Sequence, residues 1–465
     1  MVAVGFSLIP ATLIGQVMHE RESGLKHMQV ISGMNVAAYW IINVTYDILK
    51  LEIPMILCCF LLWPFQLKEY MPEAWPVFWC YPLGVVPFTH ATSFLFQKEG
   101  SAQMFTVGLN LVSLMVVPIT VYIMLQFPGT ASTALYINYW ARVIPSYNVA
   151  KTLLFCGTYK VLQRDMERRT DAADFPEFNF TMWTMDNMLG DIYFLLAHFV
   201  AGCVAIFLFE AVVYQTIWVR CCYKICKCCL RAKKQQFEGA EGTELQEFRR
   251  QNTQRHQIDK DVKAEQERVA QMSPKDLSVR VNKLQKVFKT GPTTSATAVE
   301  SVSFGLDQGE CFALLGVNGA GKTTTFKTLI NETVPTGGSC SIGGYNVQSQ
   351  FNKARTMVGY CPQHNTLFYS LTVKENLIYF ARIKGIKPDI RPLLVDHAIK
   401  QLNLHDHRHK EAGTLSGGNK RKLQVAIALI GNPPIILLDE PSAGMDPEAR
   451  RHMWKVIDDI SRYRR

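Results

Sequence analysis

Five long apolar stretches lie within the first 220 residues, and this pattern constrains the fold more than any other feature of the chain. Most of them approach or exceed the ~20 residues that cross a bilayer as a helix. A large soluble core could explain one such stretch, but five in succession predict a multi-pass α-helical membrane domain over residues 1–220. The stretches are residues 1–17, 37–65, 75–96, 104–127 and 192–219.

Basic residues directly after the fifth stretch orient this domain, because cytosolic flanks carry an excess of Lys and Arg. They are Arg220, Lys224, Lys227, Arg231, Lys233 and Lys234. Counting back through five spans places residues 128–190 outside, in agreement with the N-glycosylation pattern at Asn179. Residues 134–156 are only partly apolar, and we interpret them as two short re-entrant or interfacial helices on the outer side.

The same count places residues 19–33 in the cytosol between the first two spans. Leu25, Met28 and Ile31 recur at helical spacing and predict an amphipathic helix. The residues alone leave it open whether this helix lies on the membrane surface or contacts another domain.

Asp47, Lys50 and Glu52 fall within the second apolar stretch, where charge is costly. Asp47 and Lys50 are three residues apart and can share a helix face. An interior structural pair, a position at the cytosolic interface and direct contact with substrate all remain open.

Residues 221–275 differ from both neighbours in composition. Cysteines alternate with basic residues over 221–229, a pattern that favours S-palmitoylation over a metal site. Residues 235–272 are polar and charged, and predict a flexible or partly helical linker.

A phosphate-binding loop follows at Gly316–Thr323, which matches G-x-x-x-x-G-K-[ST] at every position. Residues 310–315 predict a buried strand before it, and residues 324–330 a helix after it. Lys322 is expected to reach the β- and γ-phosphates of a nucleotide, and the Thr323 hydroxyl to bind Mg²⁺. The predicted fold here is an α/β P-loop domain over residues 276–465.

A second strand is predicted at residues 435–438, an apolar run typical of a parallel strand buried on both faces. It ends in Asp439 and Glu440. We expect Asp439 to hold Mg²⁺ through water and Glu440 to act as general base on the attacking water.

Leu415–Asn419 lies between these two motifs and narrows the class of nucleotide hydrolase that they predict. Ser416, Gly417 and Gly418 begin a helical segment, and small residues at a helix N-terminus form an anion site. A second phosphate site has no use in a single simple pocket, so it is expected to contact a nucleotide held elsewhere.

Together these segments resemble the nucleotide-binding domain of ABC transporters, and Asn419 with its flanking residues resembles the second such domain of the A subfamily. The resemblance implies an additional helical subdomain, adenine stacking on Phe288, and sensing of Mg²⁺ and water by Gln363. It further implies that residues 442–446 cross a dimer interface, where Ser416, Gly417, Gly418 and Asn419 cover the partner's nucleotide. The implied ATP-binding residues are Phe288, Gly316, Asn318, Gly319, Gly321, Lys322, Thr323 and Thr324; the implied Mg²⁺ residues are Thr323, Gln363 and Asp439; and the implied catalytic residues are Glu440 and Gln363.

The resemblance also implies a function. We expect an integral membrane ATPase with a cytosolic ATP-binding domain, ATP and Mg²⁺ as cofactors, and coupling through residues 19–33 to transport of lipid or another amphipathic molecule. The expected partners are membrane lipid and a second nucleotide-binding domain with its transmembrane half, and no nucleic acid. Relative to the family, the chain is expected to be truncated at both ends, to lack a histidine that contacts the γ-phosphate, and to hydrolyse ATP weakly alone. The alternative is a regulatory membrane subunit that binds ATP without productive transport.

Overall fold

The computed structural model describes residues 2–62, 71–127, 129–154, 188–213, 260–289, 295–317 and 319–463. The chain divides into two compact units. The helical unit comprises Met1–Glu22 and Val36–Val213, and the nucleotide-binding unit comprises Ser23–Asn35 and Tyr214–Arg465. The predicted Cys221–Cys229 acylation cluster, the Asn179 glycosylation pattern and Asn318 lie outside the described residues, so their roles stay predictions.

Five long helical segments of the helical unit coincide with the five apolar stretches. They are α1 (Val2–Glu22), α3 (Val36–Leu62), α4 (Met71–Thr92), the segment formed by α5 (Glu99–Leu111) and α6 (Val117–Leu125), and α9 (Met188–Val213). A π-helical turn, Val112–Val116, joins α5 to α6 directly before Pro118. Such a wide turn accommodates a proline, which cannot donate the backbone bond of a regular helix.

Two of these segments are long and apolar enough to cross a membrane, namely Glu99–Leu125 and Met188–Ala211. Only 28% and 17% of the most apolar 18-residue stretch of each segment is buried within the protein, so both present apolar surface outward. Because the other three helices do not meet the same criteria within the described residues, the count of about five spans stays a prediction.

Two short helices, α7 (Ala131–Ala141) and α8 (145–154), occupy the partly apolar segment, as the sequence predicts. Their charged residues do not face solvent. Buried Asp191 of α9 accepts ion pairs from Arg142 at 2.9 Å and Lys151 at 3.1 Å, and Thr152 donates to its other oxygen at 3.2 Å. One carboxylate therefore ties the two short helices to α9.

Asp47 also has a buried partner, which is distant from it in the sequence. Its carboxylate contacts His90 of α4 at 3.0 Å, and both side chains are buried. Lys50 is exposed, so the interior Asp47–Lys50 pair, one of the three open alternatives, is not the arrangement found. The sequence suggested that pair from helical spacing alone, whereas tertiary packing of α3 on α4 supplies the imidazole.

The described residues of the nucleotide-binding unit form two sheets. An antiparallel sheet has the strand order β2-β1-β3-β4, and a parallel pair joins β5 to β6. The strands are β1 (Val279–Lys289), β2 (Ser295–Leu306), β3 (Gly337–Ile342), β4 (Tyr345–Asn346), β5 (Val358–Cys361) and β6 (Ile435–Leu438). The helices are α2 (Leu25–Ile31), α10 (Lys260–Gln271), α11 (Lys322–Leu329), α12 (Phe351–Ala354), α13 (Val373–Ile383), α14 (Arg391–Gln401), α15 (Gly417–Leu429) and α16 (Pro447–Tyr463).

One predicted strand is wrong. Residues 310–315 pair with no strand in the described part of the chain, and Leu315 is 87% exposed. The apolar run there lacks a neighbour to accept its ladder hydrogen bonds, and pairing is what makes a strand. β6 does form where predicted and pairs in parallel with β5, but only Leu437 of its four residues is buried, so burial on both faces is also wrong.

The linker contains more structure than its composition suggests. Helix α10 packs on the antiparallel sheet with Val269 fully buried. Arg268 donates to the Gly305 carbonyl at 2.7 Å, and Glu265 accepts from the Gly305 amide at 2.8 Å. The folded unit thus begins before residue 276, the predicted boundary.

Replacing Asp191 tests the buried ion cluster of the helical unit. We expect Asp191→Ala to lower the free energy of unfolding by about 3–5 kcal/mol, because Arg142 and Lys151 would remain buried without their counter-charge. Thermal unfolding of the detergent-solubilised chain measures this loss. The control Lys98→Gln removes an exposed charge and should leave the midpoint unchanged; equal midpoints for both variants would contradict the structural role of the cluster.

Candidate nucleotide-binding site

The phosphate loop lies against β2. Gly319 and Gly321 have φ of +88° and +87°, values that L side chains rarely adopt. A Cβ at Gly321 would also lie 2.6 Å from the Ala298 carbonyl oxygen, so glycine is required there for two reasons. Helix α11 begins at Lys322 directly after this turn, and its free backbone N–H groups can face an anion.

Lys322 folds back over this loop. Its Nζ donates to the carbonyls of Gly316 at 2.6 Å and Val317 at 3.0 Å. These carbonyl groups hold the ammonium at the loop. The negatively charged oxygens of a phosphate could replace them as stronger acceptors. Thr323 follows with an exposed side chain, consistent with its predicted role toward a metal ion.

Phe288 lies near the same loop through the sheet register. It pairs with Ala296 of β2, two residues from the Ala298 carbonyl that faces Gly321. The Phe288 ring is 41% exposed, and the Lys286 ammonium lies 4.9 Å from its centroid. An exposed aromatic face beside the loop suits stacking of a nucleobase.

The acidic pair and Gln363 meet at the carboxyl ends of the parallel strands. Gln363 follows β5 by two residues and Glu440 follows β6 by two, while the Asp439 amide extends the ladder with a 2.9 Å bond to the Cys361 carbonyl. Gln363 Nε2 donates to Glu440 Oε2 at 3.3 Å. Two predicted catalytic side chains 77 residues apart in sequence are therefore in contact.

The electrostatics at this edge suit a cation. Burial, and after it the negative charge of Glu440, raise the pKa of the Asp439 carboxyl, while Arg421 acts in the opposite direction. A divalent cation beside Asp439 would relieve this repulsion, and Thr323 and Gln363 supply oxygen ligands of the kind that Mg²⁺ prefers. The residues present thus fit the predicted ion.

The signature segment is formed and open. Ser416 caps α15, its hydroxyl accepting from the Asn419 amide at 3.3 Å. Ser416 and Gly417 are exposed, and a Cβ at Gly417 would meet nothing within 4 Å. The backbone N–H groups at the start of α15 are therefore accessible to an anion from outside the chain; the role of this segment toward a partner's nucleotide stays a prediction. Asp446 caps α16 through a 3.0 Å bond from the Ala449 amide.

Comparison with known proteins agrees with this geometry. Residues 299–443 match the family described as ABC transporter, and residues 1–209 match the one described as ABC-2 family transporter protein. The chain belongs to the ABC transporters. The two matches cover the helical unit and the motif-bearing part of the nucleotide-binding unit, so the fold class predicted from the sequence is confirmed.

Relatives in the A subfamily resemble the chain along nearly its whole length. It is 31% identical to ATP-binding cassette sub-family A member 2 from Homo sapiens and to retinal-specific phospholipid-transporting ATPase ABCA4 from Bos taurus, in each case over 99% of this chain. The chain spans only 18% and 19% of the length of those relatives. A dimeric post-hydrolysis ATP-binding cassette bound to ADP and phosphate is 24% identical over 40% of this ABC chain and 83% of its own, with a TM-score of 0.38.

Sequence reasoning missed the buried polar side chains that connect these motifs. Arg421 and Gln424 of α15 both contact the segment that carries Gln363. A run of basic residues after the signature suggests a solvated helix face, so spacing gave no signal for either contact.

Two glycines of this ABC phosphate loop provide a matched test. Gly319→Ala should cost about 1 kcal/mol of stability through backbone strain alone, since space around it is open. Gly321→Ala should lower stability further, because the added Cβ also meets the Ala298 carbonyl. The affinity for ATP should fall in the same variant, since the loop would have to shift. Denaturant unfolding and nucleotide titration measure both effects; equal losses of stability would argue against the packing of this loop on β2.

Proposed function

We propose that the chain is the ATP-binding and ATP-hydrolysing part of an ABC-type transporter that moves lipids or other amphipathic molecules across or out of a membrane. The contact between Gln363 and Glu440 carries this proposal. A binding-only protein has no need for a carboxylate and an amide that converge at the strand ends beside a phosphate loop.

The proposed chemistry follows from these residues. Lys322 and the N-terminus of α11 bind the phosphates, Phe288 stacks on the base, and Thr323, Gln363 and Asp439 hold Mg²⁺. When bound, the ion neutralises charge that develops on the phosphates. Glu440 accepts a proton from the attacking water, which the Gln363 amide orients.

A second nucleotide-binding domain, with its own transmembrane half, is the proposed partner. The exposed Ser416 and Gly417 at the start of α15 support this assignment, because they offer anion-binding groups on a helix other than the one that follows the phosphate loop. The nucleotide would then lie between two domains.

A lipid or other amphipathic substrate is supported by one observation, the name of a similar protein, which describes phospholipid transport. A separate observation supports membrane lipid as a partner: the two apolar helices of this chain leave most of their apolar surface uncovered by protein. Uncovered apolar surface on a helix requires lipid or an apolar partner.

Coupling to the membrane is proposed to pass through α2. Leu25, Met28 and Ile31 are buried in the same hydrophobic cluster as the core of the nucleotide-binding unit. Arg355 donates to the carbonyls of Val30 at 2.8 Å and Met34 at 3.0 Å, which fixes the end of this segment. These contacts favour docking on the nucleotide-binding unit over the membrane-surface alternative.

Glu440→Gln tests the proposed base. In the assembled transporter reconstituted in vesicles, we expect ATP hydrolysis to fall about 100-fold or more while ATP affinity is retained. Glu267→Gln makes the same chemical change on the exposed face of α10 and should have no effect. Undiminished hydrolysis in Glu440→Gln would refute the assignment, and absence of hydrolysis in the unmodified transporter would favour the regulatory alternative.

Ser416→Arg tests the two-domain site. The larger cation should block approach of the partner's nucleotide and abolish ATP-dependent association of the two domains, measured by cross-linking. ATP affinity at the Lys322 loop should change by no more than about threefold, which corresponds to about 0.7 kcal/mol of binding free energy. Ser273→Arg places the same change at an exposed serine outside the site. Loss of binding and association together would contradict two separate sites.

A further inference from the structure

Arg421 is buried near the start of α15, with 2% of its surface exposed. Its guanidinium contacts five backbone carbonyls. Nη1 donates to Gln363 at 3.1 Å and to Pro362, Nη2 donates to Glu440 at 2.7 Å and to Asp439, and Nε donates to Pro441 at 3.3 Å. None of the ion pairs among the described residues involves Arg421. Its hydrogen-bonding capacity is therefore spent on main chain.

These carbonyls belong to two separate segments. One amino group of the guanidinium contacts the segment after β5, and the other contacts the segment after β6. Arginine suits such a role because its donors form a rigid planar fork, whereas a lysine ammonium is a point charge on a flexible stem. Beyond the point where the β5–β6 ladder ends, the two segments are thus joined by the fork of one side chain.

Gln424 holds the other end of the first segment, one helical turn further along α15. Its Oε1 accepts from the Thr366 amide at 3.0 Å and its Nε2 donates to the Thr366 hydroxyl at 2.9 Å. Both ends of the segment from Pro362 to Thr366 are therefore bound to α15. Gln363 lies between these anchors and cannot shift far without breaking one of them.

Glu440 needs a similar restraint. Its φ of +49° is in the left-handed region, which costs a non-glycine residue about 1–2 kcal/mol. Arg421 donates to the Asp439 carbonyl, which precedes the Glu440 Cα, and to the Glu440 carbonyl, which follows it. It therefore holds both peptide groups that flank the strained Glu440 Cα. The strained backbone that aims the Glu440 carboxylate at Gln363 is held by this guanidinium.

We infer that Arg421 is a positioning residue of the ATPase site: it holds the main chain of Gln363 and Glu440 on one guanidinium so that amide and carboxylate face the same water. This inference rests on the proposed function. Arg421 acts through these two residues and does not itself touch the nucleotide.

Arg421→Lys and Arg421→Gln test the inference in the assembled transporter in vesicles. Lysine keeps the charge but loses the fork, and glutamine loses both. We expect kcat for ATP hydrolysis to fall about tenfold or more in each, equivalent to about 1.4 kcal/mol of transition-state stabilisation, with KM for ATP changed less than about threefold. The matched control is Arg391→Lys on α14, where an arginine also donates to a backbone carbonyl, that of Ile386 at 2.7 Å; its kcat should be unchanged.

A double-mutant cycle with Glu440→Gln separates positioning from a merely structural role. If Arg421 acts through Gln363 and Glu440, adding Arg421→Lys to Glu440→Gln should lower the residual rate by less than threefold, because the two side chains act on one water as a unit and the carboxylate of that unit is already absent. Full additivity of the two losses would overturn the inference. So would loss of binding of a non-hydrolysable ATP analogue in Arg421→Lys, which would show that the residue only maintains the fold.

The same measurements distinguish this inference from the function it rests on. Normal hydrolysis by Glu440→Gln alone would refute the proposed base, whatever Arg421 does. A severe defect in Glu440→Gln together with normal kcat in both Arg421 variants would leave the proposed function intact and overturn the role of Arg421.

Discussion

Burial of helix α15 on nearly all sides is the constraint on which the nucleotide-binding unit depends. Every residue from Arg421 to Ala428 is buried, so the helix has a single position in the core and its two ends are placed by that packing. Its N-terminus reaches the surface at the signature segment. Its C-terminus is satisfied by Lys384, which donates to the carbonyls of Ile427, Ala428 and Ile430. Burial lowers the pKa of that lysine to about 8, a cost offset by its place at the negative end of the helix.

The helical unit follows a comparable rule with different partners. Three buried carboxylates among its described residues contact side chains of other segments: Asp47 with His90, Glu210 with the Trp40 indole at 3.0 Å, and Asp191 with its two cations. Elsewhere small residues allow two helices to approach closely. A Cβ added at Gly202 of α9 would lie only 2.7 Å from the Pro87 side chain of α4. Polar pairs and glycines thus hold together helices whose outer faces are apolar.

Much of this architecture follows from local sequence, because the phosphate loop, the signature cap and the long apolar helices each depend on residues close together in the chain. The sequence could also place Gln363 and Glu440 at one sheet edge, through the resemblance to a known family. The sequence could not reveal that Arg421 holds both segments. Its side chain binds backbone carbonyls, which every residue possesses, in two segments far from it in sequence. Residues 310–315 show the opposite limit, where apolar composition alone predicts a strand but tertiary pairing decides whether one forms.

The placement of Glu440 shows why a buried arginine is better suited to this edge than a buried ion pair. A carboxylate partner for Arg421 would add negative charge beside Asp439 and Glu440, where burial, and after it the charge of Glu440, already raise the pKa of Asp439. Carbonyl groups satisfy the guanidinium without neutralising it, so its positive charge remains available to offset the two carboxylates. The same side chain therefore fixes the backbone geometry of the site and limits the electrostatic cost of bringing two acidic residues together.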